Sequence, residues 1–181
     1  TIEFLLDEND PNGRKKWYFM EMNTRIQVEH PVTEMVTGLD LIKEQIRVAA
    51  GERLSAEQKD IRISGHAIEC RINAENPKRN FMPCPGRIGN IHLPGGNGIR
   101  VDTHIYSDYQ VPSNYDSMLL KLIAHGKDRQ EAIEKMRSAL GELIIEGIET
   151  NVDFQYEIVN HPAFLEGKTD TGFIARHFSG I

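Results

Sequence analysis

Residues 19–34 read Phe19-Met20-Glu21-Met22-Asn23-Thr24-Arg25-Ile26-Gln27-Val28-Glu29-His30-Pro31-Val32-Thr33-Glu34. From residue 21 to 29 the odd positions are Glu21, Asn23, Arg25, Gln27 and Glu29, and the even ones are Met22, Thr24, Ile26 and Val28. Side chains of an extended chain alternate between faces, so this pattern predicts a strand with polar groups lined along one side. A solvated strand face would carry Lys or Ser. This one carries carboxylates, amides and a single Arg. Glu21 and Asn23 are hard oxygen donors two residues apart, a set that suits Mg²⁺ held together with substrate phosphates. Pro31 removes a ladder donor, so the row should end at an irregular edge after His30, where sites commonly sit.

Working outward, residues 1–6 and 16–22 read as two strands joined by the polar stretch 7–15, with a hairpin-turn signal at Asn12-Gly13. The spacing of Leu39, Ile42, Ile46 and Ala49 predicts a helix over 39–50, with Gly51 as its C-terminal cap. Ser55 and Gln58 read as a capping box that opens a short helix. β-alternation begins beyond, and a boundary is expected between about residues 55 and 64. Residues 65–73 read as a strand with Ile68, Cys70 and Ile72 on one face and Glu69, Arg71 and Asn73 on the other. A Pro/Gly-rich stretch over 77–98 should hold short strands around 87–93 and a turn at Gly95-Gly96-Asn97-Gly98. Further strands are predicted over 99–106 and 118–125. Asp128 and Glu131 cap a helix whose Ala132, Met136, Ala139 and Leu143 face the core, and another helix starts near Thr150 with Phe154 and Ile158.

The chain has 181 residues, 39% hydrophobic and 27% charged, enough for one domain or two small ones and unlike a disordered chain. No apolar run approaches the ~20 residues that span a bilayer, so no membrane partner is expected. The sequence opens in mid-strand with acids rather than a basic leader, and Thr1 is read as an internal boundary. Twenty-seven acidic residues against 21 basic ones argue against a nucleic-acid surface but not against a small-anion site. Cys70 and Cys84 form no metal-binding pair and are expected as free thiols of a reducing compartment, with Cys70 a small core residue and Cys84 inert. The seven histidines lack metal-ligand spacing and read as structural, His30 being the exception because it adjoins Glu29. The glycine turn lacks the lysine of a phosphate-binding loop, and Lys135-Met136 lacks the setting of a biotinylated lysine.

The run 19–34 closely resembles the signature of biotin carboxylases, the ATP-grasp enzymes of acetyl-CoA, propionyl-CoA and pyruvate carboxylases. The similarity continues through 66–75, 81–86, 115–122 and 144–151. The resemblance implies an α+β chain: the end of an ATP-grasp domain over 1–60, then over 61–181 the family's C-terminal domain, an antiparallel sheet with helices. Upstream parts, a Rossmann-like domain and a lid with the nucleotide-binding lysines, are expected to lie outside this sequence.

The implied reaction is ATP-dependent carboxylation of biotin on a carrier protein, from bicarbonate by way of carboxyphosphate. Glu3, Glu21 and Asn23 match the ligands of two divalent ions, Mg²⁺ or Mn²⁺, bound with ATP. Arg25 matches the arginine that holds bicarbonate, Gln27 and Val28 its neighbouring contacts, and Glu29 the general base. Arg71 matches the arginine that stabilises the biotin enolate. Implied partners are a biotin carboxyl carrier protein, a carboxyltransferase and a second copy of the full enzyme, in the cytoplasm or, in a eukaryote, the mitochondrial matrix. Two other readings stand beside it: another ATP-grasp ligase of the carbamoyl-phosphate synthase kind, and a non-catalytic dimerisation module.

The metal reading constrains the hairpin. Paired residues of an antiparallel hairpin keep a constant summed number, and Glu3 faces Glu21 only if that sum is even. A two-residue loop at Asn12-Gly13 makes it odd and sets Glu3 against Met22, so a longer or bulged connection across residues 7–16 is expected.

Overall fold

The computed structural model describes residues 1–7, 13 and 15–178. Strands β1 (Ile2–Asp7) and β2 (Lys16–Met22) pair antiparallel as a two-stranded ribbon. Glu3 sits directly opposite Glu21, as shared metal binding requires, but the shift that puts it there is not in the connection. The pairs from Asp7↔Lys16 to Phe4↔Phe19 keep the odd parity, and a bulge at Met20 inside β2 reverses it before Glu3↔Glu21. The expected turn residue Asn12 lies outside the described residues.

The nine-residue alternation is cut short. β2 ends at Met22, residues 23–29 are irregular, and helix α1 (His30–Thr37) begins where only a break was expected. Proline explains both: it lacks the N–H that a strand needs, and it fits the first turn of a helix, where that N–H would be unpaired. Gly38, at φ 75°, closes α1 by donating to the Glu34 carbonyl. Helix α2 (Leu41–Ala49) is two residues shorter at its start than the apolar spacing suggests, because the Asp40 carboxylate caps the Lys43 N–H. The capping box also moves. Glu57 and Asp60, not Ser55 and Gln58, bond reciprocally around the 3₁₀ turn Gln58–Asp60.

From His66 onward the chain builds a core. β3 (His66–Asn73), β4 (Ile99–Thr103) and β5 (Met118–Gly126) form an antiparallel sheet in the order β3-β5-β4. The strand expected over 99–106 stops at Thr103, whose hydroxyl accepts from the Ile105 N–H and turns the chain away. Two-residue strands in the Pro/Gly-rich stretch, Gly86–Arg87 and Ile91–His92, pair with Gln110–Val111 and Ile144–Ile145. Helices α3 (Arg129–Glu142) and α4 (Val152–Asn160) cover one sheet face, α3 capped by Asp128 on the Glu131 N–H. On that face Cys70, Ile72, Leu120, Leu122 and Ala124 meet Met136, Ala139, Leu140 and Leu143. The opposite face carries Glu69, Arg71, Lys121, Arg100 and Asp102, and α1 with the 23–29 segment lies over it.

Candidate active site

Alternation on β1 and β2 puts Glu3 and Glu21 on one face, and the turn out of β2 folds Asn23 back over them. The Asn23 amide donates to Glu3 Oε1 at 2.9 Å and to Glu21 Oε1 at 3.0 Å. Gln27 Nε2 reaches Glu3 Oε1 from the far end of the segment at 3.4 Å. Arg25 does not continue the row on a strand. Its guanidinium curls along the irregular backbone, donating to Gln27 Oε1 at 2.7 Å and to the Ile26 carbonyl at 3.0 Å. One run of hydrogen bonds thus links the three metal-ligand candidates to two of the three bicarbonate-contact candidates. Arg25, Gln27 and Glu29 line a cleft of about 320 Å³, together with Thr1, His30 and Thr33.

Glu29 occupies the N-cap position of α1, yet its side chain caps nothing in the helix. It turns instead to the sheet, where Arg71 Nη2 donates to Glu29 Oε2 at 2.7 Å across 42 residues of sequence. The His30 ring stays in place through Nδ1, 2.8 Å from the Gln27 carbonyl. Among the described residues no three His, Cys, Asp or Glu side chains gather as a metal site. The candidate set is two carboxylates and an amide, which leaves coordination positions for phosphate oxygens, as a nucleotide-bound divalent ion needs. Two carboxylates converging on one donor also fit a cation in that donor's place. The donor chemistry therefore suits Mg²⁺.

The sequence reading overlooked what holds this segment down. Lys121 Nζ donates to the Val28 carbonyl at 3.1 Å and lies 3.5 Å from Asp102. Glu34, buried on α1, accepts from Arg100 Nη1 at 2.7 Å and from the Leu41 N–H at 2.8 Å. Burial pushes Asp102 up, but the Arg100 guanidinium, bonded to both its oxygens, and Lys121 hold it below its ordinary value. A signal existed for Lys121, a lone charge in the apolar run Met118–Ala124. No periodicity pointed to Glu34 or Arg100.

Residues 69–176 match the family described as "Biotin carboxylase C-terminal domain", and residues 1–57 the one described as "Carbamoyl-phosphate synthase L chain, ATP binding domain". The biotin carboxylase of Pseudomonas aeruginosa is 54% identical over 176 residues, which cover 97% of this chain and 38% of that protein. Biotin carboxylase 1 of Bacillus subtilis is 56% identical over 174 residues, covering 96% and 38%. This chain therefore spans little more than a third of the length of these relatives. The biotin carboxylase domain of a thermophilic 2-oxoglutarate carboxylase, bound to bicarbonate, matches with a TM-score of 0.91 at 46% identity, over 99% of this chain and 39% of that one. The biotin carboxylase domain dimer of the Hydrogenobacter thermophilus enzyme, in complex with MgADP, ADP and bicarbonate, matches with a TM-score of 0.90 at 46% identity, over 99% and 38%. More than half of the aligned residues are shared with the two bacterial proteins across nearly all of the sequence, and the chain belongs to the biotin carboxylase family.

Proposed function

We propose that this chain is the C-terminal part of a biotin carboxylase, which uses ATP and bicarbonate to carboxylate biotin carried on a partner protein. The observation that carries the reading is the Arg71–Glu29 pair at 2.7 Å. It joins the candidate base of the first 60 residues to the candidate biotin-facing arginine of residues 61–181, the two domains we assign.

Glu3, Glu21 and Asn23 would hold the divalent ions, Mg²⁺ or Mn²⁺. Bound there, such ions neutralise phosphate charge on ATP and orient it for attack. Arg25 releases Gln27 to receive bicarbonate, since its planar fork can grip an oxyanion at two points. Gln27 and Val28 fix the anion's other edge, and Glu29 takes its proton so that the oxygen can attack phosphorus. When Glu29 is neutralised, Arg71 loses its partner, and its cation is free for the ureido oxygen of biotin, where negative charge develops as the phosphate released from carboxyphosphate takes the ureido N–H proton. The partners are a biotin carboxyl carrier protein, a carboxyltransferase and a second copy of the whole enzyme, in the cytoplasm or a mitochondrial matrix. The 181-residue chain by itself is not expected to cleave ATP.

The test compares Arg71→Ala, Arg25→Ala and Glu29→Gln in the full-length enzyme, with ATP cleavage and carboxybiotin measured together. Arg71→Ala should lower carboxybiotin formation by about 10²–10³ in kcat, the loss expected for one preorganised donor, and at saturating bicarbonate should leave ATP cleavage nearly intact. Arg25→Ala and Glu29→Gln should depress both. Equal ratios of the two rates in the two arginine variants would refute this division of roles.

A further inference from the structure

Glu69 is a charge that the proposed chemistry leaves unused. Both of its carboxylate oxygens are sealed from solvent and have no hydrogen-bond partner among the described residues. A buried carboxyl group without partners is costly, and natural folds seldom retain one without use. On β3 it shares a face with Arg71, two residues on. Across the ladder it lies opposite Ile123, with Lys121 on the diagonal.

Those two neighbours are the cations that leave the sheet to hold the site. Arg71 bonds Glu29 at 2.7 Å, and Lys121 bonds the Val28 carbonyl at 3.1 Å, so consecutive residues of the turn before α1 are each held by one of them. An ammonium has three donors and a guanidinium five, so both cations keep N–H groups beyond these contacts. We infer that Glu69 is a positioning residue: its carboxylate, on the sheet face of Arg71 and Lys121 and hydrogen-bonded to neither, orients both cations by its charge and through them holds Val28 and Glu29 in the arrangement that receives bicarbonate. This rests on the function proposed above.

The charged groups that face Glu69 are Lys121 and Arg71, which favour its ionisation, and Glu29 and Asp102, which oppose it. Burial outweighs the cations and pushes the carboxyl up to about 7. The neutral form prevails below that pH and the charged form above it, so the clamp tightens as the pH rises through neutrality.

Glu69→Gln freezes the neutral form. In the full-length enzyme at saturating ATP, the variant should match the wild type at about pH 6 and show a roughly tenfold higher KM for bicarbonate at about pH 8, with kcat nearly unchanged. The protonation of bicarbonate itself cancels in the ratio of the two proteins. Glu69→Asp should restore the pH response. A ratio that does not vary with pH, or a loss confined to kcat, would overturn the inference.

Amide hydrogen exchange supplies a readout free of turnover. At about pH 8, residues 26–30 should exchange several-fold faster in Glu69→Gln, while the β3–β5 ladder exchanges as before. Identical exchange over 26–30 overturns the inference as well. A wild-type enzyme without bicarbonate-dependent ATP cleavage would remove the proposed function, and the exchange comparison would still decide the role of Glu69.

Discussion

The stretch through residue 57 and the stretch from His66 onward solve opposite problems. In the first, large apolar side chains face outward: Phe4 is 52% exposed, Trp17 and Phe19 are each 64%, and Ile46 is 66%. In the second, Ile72, Leu122, Ile133 and Met136 are completely buried. No apolar side chain before Cys70, other than Pro31, belongs to the buried interior among the described residues. Yet the first stretch carries the candidates for metal ligands, bicarbonate contacts and base. This stretch is held by polar ties to a sheet that has its own core: Glu29 to Arg71, the Val28 carbonyl to Lys121, and Glu34 to Arg100. Stability and the candidate chemistry are thus divided between two regions, and the hairpin keeps an exposed apolar surface.

The division breaks most readily at the core. Leu122→Ala removes a side chain from between the sheet and α3 and should cost about 2–5 kcal/mol in a denaturant titration of this chain. Phe19→Ala, which deletes an equally apolar but exposed ring, should change stability by no more than about 0.5 kcal/mol. Comparable losses would mean that the hairpin has a core of its own, and the comparison would fail.

A smaller effect separates two asparagines. Asn151 is buried, accepts from the Asn73 N–H at 2.9 Å and donates to the Arg71 carbonyl at 3.1 Å, so it ties the start of α4 to the strand that carries Arg71. Asn151→Ala leaves the Asn73 N–H without this partner, while the Arg71 carbonyl keeps the Gln155 amide at 3.4 Å, and should cost about 1–3 kcal/mol. Asn23 also bridges two groups, but these are the carboxylates Glu3 and Glu21, part of an open ribbon that water can solvate. Asn23→Ala should leave stability within about 0.5 kcal/mol, and its effect should appear in Mg²⁺ dependence in the full-length enzyme instead. A large stability loss at Asn23 would show that the ribbon depends on this amide.

The same contrast explains what could be read from the sequence. Elements with a core were legible. The alternation Ile68, Cys70, Ile72 gave β3 within one residue, and the Asp128 cap with Ala132, Met136 and Ala139 gave α3, because burial enforces the period. The first stretch has no such enforcement. Alternation from 21 to 29 suggested a strand, yet hydrogen bonds to Gln27 and Glu3 and the proline of α1 decide the conformation after Met22. The site residues were legible through the motif that carries the family resemblance, not through periodicity. Ties across the two regions, Lys121 and Glu34 among them, join residues 93 and 66 apart in the sequence, a separation that no local pattern reports.

The smallest expected effect concerns access rather than stability, and it reports on the comparison from inside the stable region. Cys70 and Cys84 are both free thiols. Cys70 is 4% exposed, and burial, with the neighbouring Glu69 adding to it, pushes its thiol up to about 12. A thiol reacts as its thiolate and only where reagent can reach it, so Cys70 is protected on both counts. Cys84 is half-buried in the Pro/Gly-rich stretch, where its thiol donates to the Met82 carbonyl at 3.4 Å. Alkylation of the native chain should therefore label Cys84 and spare Cys70 until β3 opens. The residual rate at Cys70 then measures opening of the sheet alone. Leu122→Ala should raise that rate, and Phe19→Ala should not, because among the described residues no hairpin side chain belongs to the core around β3. Mass spectrometry of the labelled peptides separates the two sites. If Phe19→Ala accelerates Cys70 labelling, the two regions unfold as one unit, and the division of stability from chemistry is wrong.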